Sequence, residues 1–169
     1  KNYYEIYGYG IKGFNTKKKI TINAGNSGTL ARLIIGLLVD SESQIKIIGD
    51  RSLSKRDFSR VTEPLKKFGA HFKTLSGKLP IIIKGTNSPK PTKYFERKGS
   101  AQCKSSVMLA ALNTEGTTII KAKKSRNHTE LLCKYLNLPI TVKNKVNHDE
   151  IKIKKVKKIP TINYNIPSD

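Results

Sequence analysis

The chain has 169 residues, 37% of them hydrophobic, and 33 Lys and Arg against 12 Asp and Glu, for a formal charge of +21. That length carries one ordinary domain or two small units with a real core, and no apolar run approaches the roughly 20 residues of a membrane helix. Only six of the basic residues are Arg, and Lys is spread along the chain with tight runs only at 17–19 and 152–158. Nucleic-acid readout leans on Arg clusters and interleaved aromatics, so the charge suits steering of small anionic ligands better than dedicated binding of nucleic acid.

Residues 1–15 hold a short strand pattern, Tyr4-Glu5-Ile6-Tyr7, then Gly8, Gly10 and Gly13, and read as the tail of an element cut short. The patterns then predict a strand over 19–23, a helix over 27–39, a strand over 44–48, a helix over 58–68 and strands over 71–74 and 79–84. Leu75-Ser76-Gly77-Lys78 supplies a hairpin turn, and Gly69 suits the left-handed C′ position of the second helix. The order recurs as a strand over 93–96, a helix over 101–112, a strand over 117–121, a helix over 129–136 and strands over 140–143 and 150–154. Ser27 aligns with Ser100 (100 − 27 = 73), as does Ser41-Glu42 with Thr114-Glu115; Lys67-Phe68 aligns with Lys134-Tyr135 (134 − 67 = 67). One supersecondary unit, βαβαββ, is therefore used twice in an α/β (α+β) fold. Polar strand faces and apolar helix faces predict that the units bury their helices together. Pro89 and Pro91 mark the seam, giving units at 16–88 and 89–160. Cys103 and Cys133 have no metal spacing with each other or with His71, His128 and His148. Both sit in apolar helical patterns and read as small core residues in a reducing compartment.

The chemistry lies at the helix starts. In Asn23-Ala24-Gly25-Asn26-Ser27-Gly28-Thr29, a strand runs into a turn that opens a helix. Gly25 and Gly28 allow unusual backbone conformations and leave room for a ligand, while Asn26, Ser27 and Thr29 can cap or donate. Free N–H groups and the positive end of a dipole suit an anion there; a capped helix start without a ligand explains the stretch equally well. The second unit repeats the pattern with Ser100-Ala101-Gln102. In each unit an Arg precedes the second helix, Arg56 in one and Arg126 in the other, and planar guanidinium forks hold phosphate and carboxylate groups.

At these residues the chain resembles the 3-phosphoshikimate 1-carboxyvinyltransferase (EPSP synthase) family. Asn23 to Thr29 with Arg32-Leu33 is similar to its phosphoenolpyruvate motif, and Gly49-Asp50-Arg51-Ser52-Leu53 with Lys55-Arg56, Arg60-Val61 and Glu63-Pro64-Leu65 to the next. Ser100-Ala101-Gln102-Cys103-Lys104-Ser105 and Ser125-Arg126-Asn127-His128-Thr129-Glu130 resemble its shikimate-phosphate motifs. The resemblance implies phosphoenolpyruvate, or glyphosate in its place, on Gly28, Arg56 and Gln102. It implies shikimate 3-phosphate on Ser100, Ala101, Gln102 and Arg126, with Asn26, Thr29 and Arg32 supporting the loop. Ala31 and Asn127 depart from the family's common Met and Asp, at positions that hold no ligand.

The implied reaction moves the enolpyruvyl group of phosphoenolpyruvate to the 5-hydroxyl of shikimate 3-phosphate in the cytoplasm, without metal or organic cofactor and with no membrane partner. The implied architecture is about two of the three units in one half of an inside-out α/β barrel. Residues 1–15 would be the tail of a first repeat, and 161–169 a hinge strand toward a C-terminal domain. The resemblance assigns proton transfer to those further parts, so no catalytic group is expected among these residues and the fragment alone is expected to be inactive. A UDP-N-acetylglucosamine enolpyruvyl transferase-like domain and a non-enzymatic basic module for phosphate or nucleic acid are the alternatives.

Overall fold

The computed structural model describes residues 3–11, 13 and 18–165. The first unit comprises β1 (Ile20–Asn23), α1 (Gly28–Leu37), β2 (Gln44–Ile48), α2 (Arg51–Ser54), α3 (Ser59–Lys66), β3 (His71–Leu75) and β4 (Lys78–Lys84). The second comprises β5 (Lys93–Glu96), α4 (Ala101–Leu112), β6 (Thr117–Lys123), α5 (His128–Tyr135), β7 (Ile140–Asn144) and β8 (His148–Lys154). Each unit folds into a four-stranded sheet of the same topology, β1-β2-β4-β3 and β5-β6-β8-β7. The first pair in each is parallel and the others antiparallel.

Period-two alternation sets which sheet face is covered. Ile45, Ile47, Ile81 and Ile83 point into the core of the first unit, and Ile120, Ala122, Ile151 and Ile153 into that of the second. Lys46, Lys84, Lys121, Lys123, Lys152 and Lys154 alternate with them and stay exposed. Much of the positive charge thus lies on the outer sheet faces. Burying each isoleucine contributes about 1.5–3 kcal/mol relative to leaving it in water.

The helices meet between the sheets. α1 and α4 run parallel and in register: Gln102 bonds Thr29 at their starts, and Asn113 bonds Asp40 just past their ends, both pairs 73 residues apart. That spacing is the repeat offset, so equivalent positions of the two units face each other. The Ser106 hydroxyl donates to the Arg32 carbonyl at 2.8 Å. A Cβ on Gly36 would fall 2.2 Å from the Ser106 carbonyl oxygen, so this glycine is where the two backbones touch. α4 is buried on nearly every side, as expected of a helix enclosed between two units.

Several boundaries differ from the sequence reading. Residues 4–7 form no strand; they pair with nothing, and Tyr4, Ile6 and Tyr7 are each at least 80% exposed. α2 is absent from the sequence reading because a single helical turn is too short to show an apolar period. α1 starts at Gly28, with Ser27 as its N-cap, and ends at Leu37; α3 is trimmed to Ser59–Lys66 with Phe58 as its cap residue. The β3–β4 turn is the predicted one, with Ser76 and Gly77 both at positive φ, the backbone that two-residue hairpins require. Gly69 takes φ +100° one residue beyond the C′ position. Cys103 and Cys133 are buried free thiols, and burial pushes the Cys133 thiol up to about 11. No helix among the described residues is long and apolar enough to cross a membrane.

Candidate functional site

The site is built at the N-terminal ends of α1 and α4. After β1, the Asn23 side chain accepts from the Gly25 N–H at 2.9 Å, and Gly25 turns at φ +54°. Gly28 does not use that freedom, since it is the first residue of α1. Ser27, in extended backbone, accepts from the Leu30 N–H at 3.1 Å and caps the helix. The turn is tied to the one after β2 by the Asp50 N–H on the Gly25 carbonyl, 2.8 Å, and by the Asn26 amide on the Asp50 carboxylate. Asp50 also caps α2 through the Leu53 N–H at 2.7 Å. That N–H bond, then the Asn26 amide, hold its carboxyl below the usual range, with the Arg56 charge a smaller cause.

What Gly28 supplies is space. A Cβ there would lie 2.8 Å from Nη1 of Arg32 and 3.0 Å from Nη1 of Arg56. Both guanidinium groups therefore reach the start of α1. Arg32 is occupied: it stacks over the Phe58 ring at 5.0 Å and donates to the Gln102 side-chain oxygen at 3.1 Å. Arg56 is exposed; its N–H donates to the Leu53 carbonyl at 3.0 Å, and its guanidinium has no hydrogen bond or ion pair among the described residues.

The second helix start has the same backbone on a different foundation. Ser100 (φ −86°, ψ 107°) matches Ser27 (φ −81°, ψ 97°) and caps α4 through the Cys103 N–H at 3.3 Å. Its own N–H donates to the carboxylate of Glu96 at 2.9 Å. Glu96 is 3% exposed and also meets Arg60 at 3.2 Å and the Lys98 N–H at 3.3 Å. One turn into α4, the fully buried Lys104 pairs with Glu130 at 2.6 Å and donates to the Arg126 carbonyl at 3.0 Å. Ser105 and Thr129 share a 2.7 Å hydroxyl contact. The Arg126 side chain is exposed, and like that of Arg56 it has no partner among the described residues.

Gln102 joins the two starts. Its amide donates to the Thr29 hydroxyl at 2.8 Å while its oxygen accepts from Arg32. Gly28, Thr29, Arg32 and Gln102 thus form one hydrogen-bonded group, with the Arg56 guanidinium beside Gly28 and Ser100 and Ala101 on the same turn as Gln102. Asn26 faces Asp50 at its edge, and Arg126 is anchored through its backbone alone. The arrangement is two parallel helix N-termini side by side, with two unpaired Arg side chains, on an open surface. It suits anionic groups. A cavity of about 280 Å³ between Asp40, Asn87, Asn113 and Lys155 lies at the other end of α1 and α4, where helix carbonyl ends disfavour anions.

A family model for EPSP synthase (3-phosphoshikimate 1-carboxyvinyltransferase) matches residues 2–169. The chain belongs to the EPSP synthase family. It is 40% identical over 152 residues to the 3-phosphoshikimate 1-carboxyvinyltransferase of Endomicrobium trichonymphae, covering 89% of this chain and 34% of that protein. To the enzyme of that name from Streptococcus equi subsp. equi it is 37% identical over 167 residues, 97% of this chain and 38% of the relative. The solved structure of EPSP synthase from Acinetobacter baumannii superposes with a TM-score of 0.74 at 34% identity, covering 82% of this chain and 31% of that one. The chain spans about a third of the length of the curated relatives it matches. These matches do not favour a UDP-N-acetylglucosamine enolpyruvyl transferase-like domain.

Within the EPSP synthase motifs, sequence reasoning gave no role to Asp50, Lys104 or Glu130, and it did not single out Glu96 at all. The signal for Lys104 and Glu130 was available: two opposite charges inside apolar helical patterns, each needing a partner once buried. Nothing local marks Glu96, because its partners come from another element and from backbone N–H groups.

Proposed function

We propose that the chain supplies the substrate-holding face of one half of an EPSP synthase. In this reading it works on transfer of the enolpyruvyl group from phosphoenolpyruvate to the 5-hydroxyl of shikimate 3-phosphate, releasing phosphate. Phosphoenolpyruvate, or glyphosate competing with it, lies against Gly28 and Arg56 with Gln102 alongside. Shikimate 3-phosphate lies on Ser100, Ala101, Gln102 and Arg126, while Asn26, Thr29 and Arg32 hold the first turn. The observation that carries the reading is the parallel, in-register packing of α1 and α4, which sets two capped helix starts side by side. These groups bind and orient anions and stabilise charge as it develops. Proton transfer falls to the parts of the family's enzymes that this chain does not span, and those parts are its partners in a cytoplasmic enzyme.

Chemical-shift titration of the chain tests the reading. Shikimate 3-phosphate is expected to perturb Ser100, Gln102 and Arg126 with a Kd near or above the millimolar level, about −4 kcal/mol. Phosphate release from the two substrates is expected to be undetectable. In Gly28→Ala the added Cβ crowds only the tips of two flexible Arg side chains, so folding is kept. Phosphoenolpyruvate and glyphosate binding weaken, about tenfold for one displaced charge-assisted hydrogen bond, and shikimate 3-phosphate binding stays. Shifts that avoid these residues, or turnover by the 169-residue chain, would contradict the assignment. The charge of +21 supports one rival, a phosphate module for nucleic acid. Steeply salt-dependent DNA binding with no response to shikimate 3-phosphate would favour that rival.

A further inference from the structure

Lys104 is among the largest fully buried side chains, and its partner Glu130 is 3% exposed. Ion pairs this deep cost desolvation on both sides, and well-packed apolar residues often replace them with no loss of stability. Neither Glu130 oxygen has a hydrogen bond of ordinary geometry, so charge at 2.6 Å is what couples the carboxylate to Lys104. The pair therefore reads poorly as a stability device. The Lys104 ammonium also donates, at 3.0 Å, to the carbonyl oxygen of Arg126. That residue opens a stretch, 126–128, that is exposed throughout, and α5 begins there without a side-chain cap on Asn127.

We infer that Lys104 and Glu130 are positioning residues: the pair is a buried latch that fixes the backbone of Arg126 so that its unpaired guanidinium meets the phosphate of the bound shikimate ester. Glu130, in the first turn of α5, stands 2.6 Å from the ammonium and centres it. The ammonium then holds the Arg126 carbonyl and with it the level at which the Arg126 side chain leaves the loop. The Ser105–Thr129 hydroxyl contact joins the same two segments and leaves Arg126 itself free. The inference rests on the proposed role of Arg126, but the latch can be read without any ligand.

The test uses the whole chain and three variants. Lys104→Met with Glu130→Leu removes both charges together, so no ion is left unpaired and folding is kept. Glu130→Gln removes the pair but leaves Lys104 its donation to the Arg126 carbonyl. Lys104→Met alone also strands a buried carboxylate, and is expected to melt well below the double variant. The carbonyl carbon shift of Arg126, the group that accepts the Lys104 bond, reads the latch directly. It is expected to move to that of an unbonded carbonyl in the double variant, and by a smaller amount in Glu130→Gln, where the ammonium keeps the bond and loses the carboxylate that centres it. The Kd for shikimate 3-phosphate is expected to rise about tenfold in the double variant, the loss of one hydrogen bond to a charged group, and less in Glu130→Gln, with phosphoenolpyruvate shifts at Gly28 and Arg56 unchanged. An unmoved Arg126 carbonyl in the double variant overturns the latch, as does equal weakening of both ligands. A moved carbonyl with shikimate 3-phosphate unaffected supports the latch and removes Arg126 from the binding site.

Discussion

The two helix starts share a backbone and differ in what stands beneath them. Ser27 and Ser100 agree within about 10° in φ and ψ and cap their helices in the same way. The first start is held from outside, by Asn26 on an exposed Asp50 and by one backbone bond to Gly25. The second is held from inside, by Glu96 under Ser100 and by Lys104, paired with Glu130, under Arg126, three charged groups with almost no exposure. Repetition of a unit therefore fixes where the anion-facing groups stand, while the stiffness of each stand is set by residues outside the repeat pattern. Solvated contacts of the first kind adapt at little cost; buried charges of the second kind are expensive to disturb.

The largest expected effect breaks the feature the two starts share. Gly36→Ala sets a Cβ 2.2 Å from the Ser106 carbonyl, a backbone atom of the facing helix that no rotamer change can move. Separating α1 from α4 by even a fraction of an ångström stretches the Gln102–Thr29 and Ser106–Arg32 bonds together. A loss of about 3 kcal/mol is expected, the upper part of the usual overpacking range, read as a lower denaturant midpoint. An unchanged midpoint would mean that the helices slide freely and that their register does not align the two starts.

Next comes a change confined to the second start. Glu96→Ala leaves the Ser100 N–H, the Lys98 N–H and Arg60 without their acceptor. Bonds to a charged group are worth about 1.5–3 kcal/mol, and with water partly replacing the carboxylate at the half-exposed Arg60, a net loss of about 2–3 kcal/mol is expected. Ser27→Ala, which removes an exposed cap from the first start, is expected to cost about 1 kcal/mol. Equal losses in the two variants would erase the distinction between an inner and an outer foundation.

How much of this could be read in the sequence follows the same division. The alternation of Ile and Lys in β2, β4, β6 and β8, the caps at Ser27 and Ser100 and the Ser76-Gly77 turn are local, and each was legible from neighbours in the chain. The repeat offset of 73 foretold more than the order of elements, because it is also the spacing of the Thr29–Gln102 and Asp40–Asn113 contacts. Hidden were contacts between distant residues of unlike type, such as Arg60 with Glu96 and Lys104 with Glu130. The strand expected at residues 4–7 failed for a related reason: an alternating pattern shows what can pair, and pairing also needs a sheet edge beside it. The part of residues 12–17 and 166–169 in the repeat and hinge readings falls largely outside the described residues.

The smallest effect expected is an acid transition confined to the first start. Asp50 accepts from the Leu53 N–H and the Asn26 amide, and both bonds favour its charged form, so its folded pKa lies below the ordinary 3.8. A carboxyl depressed by folding contributes stability that is fully present above the unfolded value and is lost as pH falls through the folded one. The side-chain link between the β1–α1 and β2–α2 turns is therefore expected to be intact from neutral pH down to about 4 and to come apart only at lower pH, while the backbone bond from Asp50 to Gly25 stays. The shifts of the Leu53 amide and the Asn26 side-chain amide, followed from pH 7 downward, report it directly, and their shared midpoint is expected below 3.8. Asp50→Asn supplies the comparison without acid: its side-chain oxygen still accepts from Leu53, so α2 keeps its cap, while the attraction of Asn26 and Arg56 to a full charge is gone. Ser100 and Arg126 amides should not move in Asp50→Asn, because the bonds of Asp50 lie within the first unit. A midpoint above 3.8 would contradict the hold of Leu53 and Asn26 on the charged carboxyl, and a change at Ser100 in Asp50→Asn would show that the two starts are coupled and that the outer foundation is less independent than its exposure implies.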